Sequence, residues 1–206
     1  MTSARWLMLR RSTVRAAAAL CLIMATSCSL SEQLPWAEPR YLTDGSDGRP
    51  PVGSEGVPVE VGKPMSYSLT SIKATTPGVN PRITDVTIDA DDGITLVGVG
   101  VLDSKASVGG VVLEDFPPES YFREFPQDRD NYHPGLPTRP VPGGGRAWSL
   151  VGGLTTDRLG PTLIRSVTVT YELDGHSHKQ TFDVLANLCG YKGDPKTVRC
   201  EAPAVE

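Results

Sequence analysis

One stretch of 23 residues, SVTVTYELDGHSHKQTFDVLANL, constrains the fold more than any other part of this chain. Apolar residues occupy every second position before the dipeptide Asp174-Gly175 and again after it, which is the period of two half-buried β-strands. Because Asp and Gly tolerate the positive φ angles of a type I′ turn, the two strands are predicted to form a hairpin. In that register Tyr171 faces His178 and Val167 faces Phe182, so both apolar sets share one face.

Other segments predict further strands. RITDVTIDADDGITLVGVGVL predicts a second hairpin with its turn at Asp92-Gly93. The alternation slips between Ile83 and Val86, which indicates either a bulge or a strand that begins later. MSYSLTSI, GGVVL and RAWSLVGGL predict three more strands, and no later window shows a helical period. About seven short strands predict an all-β, antiparallel β-sandwich with Trp148 in its core. An immunoglobulin-like topology is one arrangement of such a sandwich, and a small β-barrel is the alternative.

The first 27 residues have the composition of an export signal. They carry four arginines and no acidic residue, followed by the apolar run AAAALCLIMA. This run is too short to span a bilayer, which takes about 20 apolar residues, so a secretory signal peptide over residues 1–27 is predicted. The segment ATSC at its end, Ala25 to Cys28, resembles the lipobox of bacterial lipoproteins. The resemblance implies that Cys28 becomes the mature N-terminus, carries acyl chains such as palmitate, and anchors the protein on the extracytoplasmic face of the cell membrane.

The cysteine count is consistent with this resemblance. Cys21 falls within the predicted leader and Cys28 takes the lipid, which leaves Cys189 and Cys200 as an even pair in an oxidising compartment. A disulfide between them is predicted, with two free thiols or a metal site as the alternatives. An ordinary signal peptide, cut at an A-x-A-like site, would instead leave Cys28 as a plain thiol, and an uncleaved leader would remain as an anchor.

Charge and composition divide the rest of the chain. The full chain has 20 Lys plus Arg against 24 Asp plus Glu, and loss of the leader leaves 16 against 24, a net charge of −8. An acidic protein is a poor ligand for nucleic acid, so no nucleic-acid partner is expected. Residues 28–64 are predicted to be the lipidated cysteine and a Pro/Gly-rich flexible tether, spanning on the order of 30–35 Å. VPVEV within it, Val57 to Val61, is a candidate edge strand.

A single β domain is predicted over residues 65–200, with a tail over 201–206. Its unusual part is the segment 114–146, which has seven prolines, little periodicity and five of the 13 aromatic residues of the chain. Long irregular connections are often functional, so a binding surface for a protein or envelope polymer is a hypothesis for this segment. The alternative is a satellite hydrophobic cluster that plugs one end of the sandwich. The candidate binding residues are Tyr121, Phe122, Phe125 and Tyr132.

The three histidines are a candidate metal site. His176 and His178 are two positions apart on a predicted strand, so both side chains lie on one face, and His133 from the long segment is a candidate third ligand for Zn or Cu. Residues beside a hairpin turn are usually exposed, however, and paired histidines there need no ligand. DADDG resembles half of a calcium loop, but Gly100 stands where an EF-hand requires a bidentate Glu.

Catalytic motifs are missing from the sequence. It contains no G-x-S-x-G elbow and no H-E-x-x-H, so an enzyme is not expected and no cofactor is expected. The sequence therefore predicts a lipid-anchored, non-catalytic envelope lipoprotein that presents a β-sandwich binding module. A His-based metal-binding envelope protein and an accessory subunit of an envelope enzyme or transporter are the two alternatives.

Overall fold

The structure is a computed structural model that describes residues 41–44, 56–103, 112–113, 115–194 and 200, with the side chains of residues 44, 112 and 113 left undescribed. All of these residues belong to a compact unit that spans Arg40–Glu206. The predicted leader, Cys28 and residues 201–206 lie outside the described residues. No helix in the described part of the chain is long and apolar enough to cross a membrane.

The described residues form ten strands and two short helices. In chain order these are β1 (Leu42–Asp44), β2 (Val57–Glu60), β3 (Met65–Ala74), β4 (Arg82–Ala90), β5 (Ile94–Leu102), β6 (Val112–Leu113), α1 (Glu119–Glu124), a 3₁₀ helix (Pro126–Asn131), β7 (Tyr132–Pro134), β8 (Trp148–Thr156), β9 (Gly160–Leu173) and β10 (His176–Tyr191). The strands make two sheets. Sheet I runs β1-β3-β8-β5-β7, with β6 also paired to β3, and sheet II runs β2-β10-β9-β4.

The strand order is immunoglobulin-like. In constant-type immunoglobulin domains, strands A, B, E and D form one sheet and C, F and G the other. With β1, β3, β4, β5, β8, β9 and β10 taken as A to G, sheet I contains β1-β3-β8-β5 and sheet II contains β4-β9-β10 in that order. β2 extends sheet II by pairing parallel to β10. The predicted β-sandwich is confirmed, and the described strands do not close into a barrel.

The hairpin formed by β9 and β10 has the predicted register. Tyr171 pairs with His178 and Val167 pairs with Phe182, and Asp174 and Gly175 have φ angles of 51° and 78°. The predicted bulge in β4 is also present, because the pairing with β9 shifts between Ile83 and Asp85. These features are local, so sequence alone was sufficient to predict them.

The second predicted hairpin is wrong. β4 pairs with β9 in sheet II, whereas β5 pairs with β8 in sheet I, so residues 91–93 form an arch between the two sheets. Val86 on β4 and Val99 on β5 are both buried in one core from opposite sides, which a hairpin within one sheet would not achieve. A second arch, residues 157–159, joins β8 to β9 alongside it, and the Asp157 amide donates to the Gly93 carbonyl at 3.0 Å.

Part of the predicted tether belongs to the folded domain. Residues 42–44 pair with the end of β3, and residues 57–60 pair with the end of β10. Leu42 is fully buried and Val59 nearly so, which explains why these short strands form despite a Pro/Gly-rich context. The flexible tether predicted for 28–64 is therefore wrong for these residues, although VPVEV does supply the suggested edge strand.

The core lies between the sheets. Trp148 packs in it as predicted, and so do the inward residues of the β9–β10 hairpin. Its largest fully buried side chains include Tyr171, Leu42, Ile72, Ile83, Leu150 and Leu154.

The arch between β4 and β5 is braced by Asp91, and this contact predicts a pH dependence. The Asp91 carboxylate accepts a hydrogen bond from the Leu163 amide at 2.9 Å and from the Arg165 guanidinium at 2.5 Å. The Leu163 hydrogen bond and then the Arg165 contact hold the pKa of Asp91 below its ordinary value of 3.8. The stabilisation is thus complete above that value and is lost as pH falls through the lowered folded-state pKa.

We expect Asp91→Asn to be less stable than the wild type near neutral pH, with the difference shrinking as the pH falls below 3.8. Urea unfolding of both proteins across this range measures the difference. A difference in unfolding free energy that stays constant down to the lowest pH measured would show that Asp91 contributes through hydrogen bonding alone, not through its charge.

Candidate functional site

The segment that the sequence singled out, 114–146, is described from Asp115 onwards, and its first part, 116–132, packs on the outer face of sheet I. The later part returns to the β3–β4 end of the sandwich, where the Thr138 amide donates to the Ile83 carbonyl at 2.9 Å and the Val141 amide donates to the Pro81 carbonyl at 2.7 Å.

The segment contains α1, the 3₁₀ helix and the edge strand β7, which pairs with β5. The segment is fixed at its start because the Ser66 hydroxyl donates to the Asp115 carbonyl at 2.6 Å. The Asp115 carboxylate then accepts from the amide and hydroxyl of Ser120 at 2.8 and 2.6 Å. These bonds set the first turn of α1.

Glycines in the strands of sheet I make room for aromatic rings of this segment. A Cβ atom on Gly98 or Gly153 would lie 2.5 Å from the ring of Phe116, and one on Gly100 would overlap the Tyr132 hydroxyl. Glycine within a strand often marks such a close approach. The sequence analysis placed these glycines within predicted strands and gave them no role, yet Gly98 and Gly100 are two positions apart and lie on one face of β5. That spacing was the available signal for a covered outer face.

This fit predicts a specific coupling between Gly153 and Phe116. Gly153→Ala should cost about 1–3 kcal/mol of unfolding free energy, since the added methyl group overpacks the ring. In a Phe116→Ala background the same change should cost much less, because the ring is gone. Denaturant unfolding of the four proteins of this double-mutant cycle measures the coupling. Equal costs in the two backgrounds would show that the ring is free to move aside.

Three of the four predicted binding residues are buried. Tyr121, Phe122 and Tyr132 join Leu102 and Val151 in a small hydrophobic cluster, whereas Phe125 is 38 % exposed. The prediction that all four rings present a surface is therefore wrong for three of them. Their rings form a satellite cluster against sheet I, although this cluster covers the outer face of the sheet and does not plug one end of the sandwich.

What remains at the surface is a smaller feature, the Phe125 patch, which comprises Phe125, Arg129 and Glu119. The Phe125 ring lies 4.9 Å from that of Tyr121. Arg129 lies over the Phe122 ring at 5.3 Å and bonds Glu119 at 2.6 Å.

The patch rests on a rigid base, because the buried Tyr121 hydroxyl donates to Asp128 at 2.5 Å. Beside it, burial raises the pKa of Tyr132 to about 12, and the Tyr132 hydroxyl has no hydrogen-bond partner among the described residues.

The histidines are not brought together as a metal site. His176 and His178 lie on β10 in sheet II, and His133 lies on β7 in sheet I. The His178 ring contacts Tyr171 at 5.4 Å and Tyr41 at 5.3 Å. Burial, followed by the charge of Arg139, lowers the pKa of His133, while Asp103 opposes this shift. The described residues contain no group of three His, Cys, Asp or Glu side chains placed to hold a metal ion.

The predicted disulfide is present. Cys189 at the end of β10 is bonded to Cys200, with 5.7 Å between their Cα atoms. Cys189 is fully buried, and the Cys200 carbonyl accepts from the Gly56 amide at 3.5 Å. The bridge therefore holds the chain after β10 beside the start of β2.

A polar cleft that the sequence did not predict lies at the end of the sandwich. Its volume is about 280 Å³, and it is lined by the β3–β4 connection and by the β9–β10 turn with its flanking residues. The lining residues are Gly78, Val79, Asn80, Arg82, Glu172, Leu173, Asp174 and Gly175. Arg82 and Glu172 are directly opposed across β4 and β9. The two sides of the cleft are some ninety residues apart in the chain, so no local sequence motif predicts the cleft.

Comparison of the chain with protein-family models, with curated proteins and with solved structures found no match.

Proposed function

We propose that this protein is a lipid-anchored, non-catalytic envelope lipoprotein that holds an immunoglobulin-like sandwich outside the cytoplasmic membrane as a binding module. The observation that carries the proposal is the position where the chain enters the domain. Tyr41 is already bound within the sandwich, and it follows the lipobox cysteine, Cys28, by only 13 residues.

The contacts of Tyr41 define this entry point. The Tyr41 carbonyl accepts from the Thr75 amide at 2.9 Å, and the Tyr41 amide donates to the Tyr171 hydroxyl at 3.3 Å. Thirteen residues reach at most about 45 Å when fully extended. The domain is thus close to its anchor, and this spacing suits an anchored module better than a freely secreted one.

The Phe125 patch is the surface that we assign to a protein or envelope polymer. An exposed ring beside an arginine is the composition of an interaction hot spot, and the buried Tyr121–Asp128 bond fixes its base. Rigid side chains lose little entropy on binding.

The intact mass of the protein, extracted from membranes of its native host, tests the anchor. We expect the mass of Cys28–Glu206 plus a diacylglyceryl group, increasing by two hydrogens on reduction of the disulfide. A Cys28→Ser variant is the matched control and should lose membrane attachment. A mass without lipid would contradict the proposal.

Site-specific cross-linking tests the Phe125 patch. A photo-reactive amino acid at position 125 should give one discrete adduct in native membranes, and Arg129→Gln should reduce its yield. The same probe at Thr181, which is exposed on sheet II, is the control position. Equal adducts from positions 125 and 181 would contradict a specific surface.

A further inference from the structure

We propose that the polar cleft at the entry end of the sandwich docks on the membrane surface and receives the zwitterionic headgroup of a phosphatidylethanolamine-type lipid. The inference rests on the proposed function, because it takes Cys28 as the anchor. It adds an orientation for the domain and a ligand for the cleft, neither of which follows from anchoring alone.

The orientation follows from the length of chain before the domain. Tyr41 lies at the same end as the cleft, because it bonds Thr75 at the end of β3 and Tyr171 near the β9–β10 turn. Tyr41 bonds Tyr171, which faces His178, and the 13 residues from His178 to the far end of β10 span about 43 Å. A domain standing on the opposite end would raise Tyr41 by about that distance, so the chain from Cys28 would have to be fully extended to its limit of about 45 Å, at a large cost in conformational entropy. The cleft end is therefore the end that the anchor holds towards the bilayer.

Among the residues that the structure describes, the side chain of Arg82 in the cleft is held in place by a hydrogen bond from only one of its nitrogen atoms. Its Nε atom donates to the Thr138 carbonyl at 3.1 Å, which fixes the side chain. The two terminal nitrogens of Arg82 have no partner among the described residues and Arg82 is exposed. A guanidinium fixed in this way presents a two-pronged donor that matches a phosphate group.

The carboxylates of the cleft supply the opposite charge. Glu172 lies directly across from Arg82, where opposed Cβ atoms are about 5 Å apart, and Asp174 lies in the adjoining turn. Neither carboxylate forms a hydrogen bond or ion pair within the described part of the chain. The cleft therefore places an unpaired anion beside an incompletely paired cation, although no ion pair between them forms.

This arrangement matches one headgroup chemistry. Phosphoethanolamine carries a phosphate and a primary ammonium on a short link, so its phosphate can bind Arg82 while its ammonium donates to Glu172 or Asp174. A choline headgroup has no N–H to donate, and a glycerol headgroup has no cation. The volume of about 280 Å³ is below the range of about 300–1,000 Å³ typical of drug-sized ligands, and it suits a small polar group. Gly78 and Gly175 leave the mouth open, since a Cβ at either would meet nothing within 4 Å.

Fluorescence quenching with the full lipidated chain in vesicles tests the docking. A fluorophore is attached at Thr76→Cys beside the cleft or at Leu159→Cys at the opposite end, and the vesicles contain a trace of lipid with a nitroxide on its headgroup. In phosphatidylcholine vesicles that contain phosphatidylethanolamine, we expect severalfold stronger quenching at position 76 than at position 159. Phosphatidylcholine alone, or with phosphatidylglycerol, should reduce this ratio.

Charge-neutralising variants test the residue assignment. Arg82→Gln and Glu172→Gln should each reduce the ratio to its value in phosphatidylcholine alone, and Lys192→Gln, an exposed cation outside the cleft, should not change it. Equal quenching at the two positions would overturn the docking. A ratio that is highest with phosphatidylglycerol and unaffected by Glu172→Gln would show simple attraction of a cation, which also overturns the proposal.

Failure of the anchor is distinguishable from failure of the cleft. If the intact mass shows no lipid, the proposed function fails, and the cleft is then titrated with phosphoethanolamine in solution by NMR. Amide shifts confined to Gly78 and Gly175 that disappear in Arg82→Gln would support headgroup recognition. An unchanged spectrum would overturn it.

Discussion

Phe122→Ala is expected to lower the free energy of unfolding by about 3–5 kcal/mol, the usual cost of removing a buried phenyl ring. Phe122 is only 3 % exposed and its ring lies 5.3 Å from that of Tyr132 and 5.6 Å from that of Tyr121. It is central to the cluster that attaches the 114–146 segment to sheet I. Its loss leaves a cavity against a sheet that cannot collapse onto it.

Phe125→Ala is the matched control, since it removes the same side chain three positions away. Phe125 is 38 % exposed and loses mainly its contact with Tyr121, which is worth about 0.5–1.5 kcal/mol. Urea unfolding monitored by tryptophan fluorescence compares the two variants, since Trp148 is buried in the core. An unchanged midpoint for Phe122→Ala would show that the segment does not contribute to the stability of the domain, and equal losses in both variants would show that the buried ring contributes no more than the exposed one.

The difference between these two rings shows where sequence reasoning stopped. Composition identified an aromatic segment, but the choice between a surface and a plug depends on what the rings meet. In the same segment, the rings of Phe116 and Tyr132 meet glycines on strands that are distant in the chain, Gly98 and Gly100 on β5 and Gly153 on β8. Only the alternation of Gly98 and Gly100 could have indicated an outer face that is covered.

Which strands pair with one another was likewise not determined by the local sequence. The β9–β10 hairpin was predictable because a two-residue turn and two alternating strands fix one register. Asp92-Gly93 has the same turn chemistry, yet it joins strands of different sheets, because β9 and β8 are the pairing partners of β4 and β5. The alternation of apolar and polar residues predicts that a strand exists and which of its residues face the core. It does not determine which other strand pairs with it.

Short edge strands and the cleft share this limitation. β1 has three residues and lies in a Pro/Gly-rich region, so its propensity is low and its pairing with β3 decides its structure. Arg82 and Glu172 are unremarkable strand residues until β4 and β9 are paired. The Cys189–Cys200 bridge could be predicted because only one pair of cysteines remains after the lipobox is assigned.

Removal of that bridge is the second change from which we expect a large effect. A loop of 12 residues, closed by Cys189 and Cys200, restricts the unfolded chain by about 2.8 kcal/mol in the loop-entropy treatment. The double variant Cys189→Ala/Cys200→Ala should therefore unfold about 2–3 kcal/mol more easily, and reduction of the wild type should give a similar loss. Thermal and urea unfolding, with and without reductant, measure both quantities.

The part of the domain that loses stability when the disulfide is removed should be as informative as the size of the stability loss. The bridge holds Cys200 against Gly56, at the start of the short parallel strand β2. Asn187 lies beneath this contact, 5 % exposed, and neither atom of its side-chain amide has a partner in the described structure. A buried amide without hydrogen bonds costs about 1–3 kcal/mol. Opening of this corner returns Asn187 to water and offsets part of the entropic loss.

Hydrogen exchange separates local opening from a uniform loss of stability. In the double variant we expect the amides of Val57 and Val59 to lose protection first, because β10 is the only strand that pairs with β2 among the described residues. The amides of Val167 and Val169 in the β9–β10 hairpin should keep theirs until global unfolding. If all four amides lose protection equally, the bridge stabilises the whole sandwich through the unfolded chain alone. If none does, β2 is held by its four pairs with β10 and by Val59 in the core, and the bridge adds nothing to that edge.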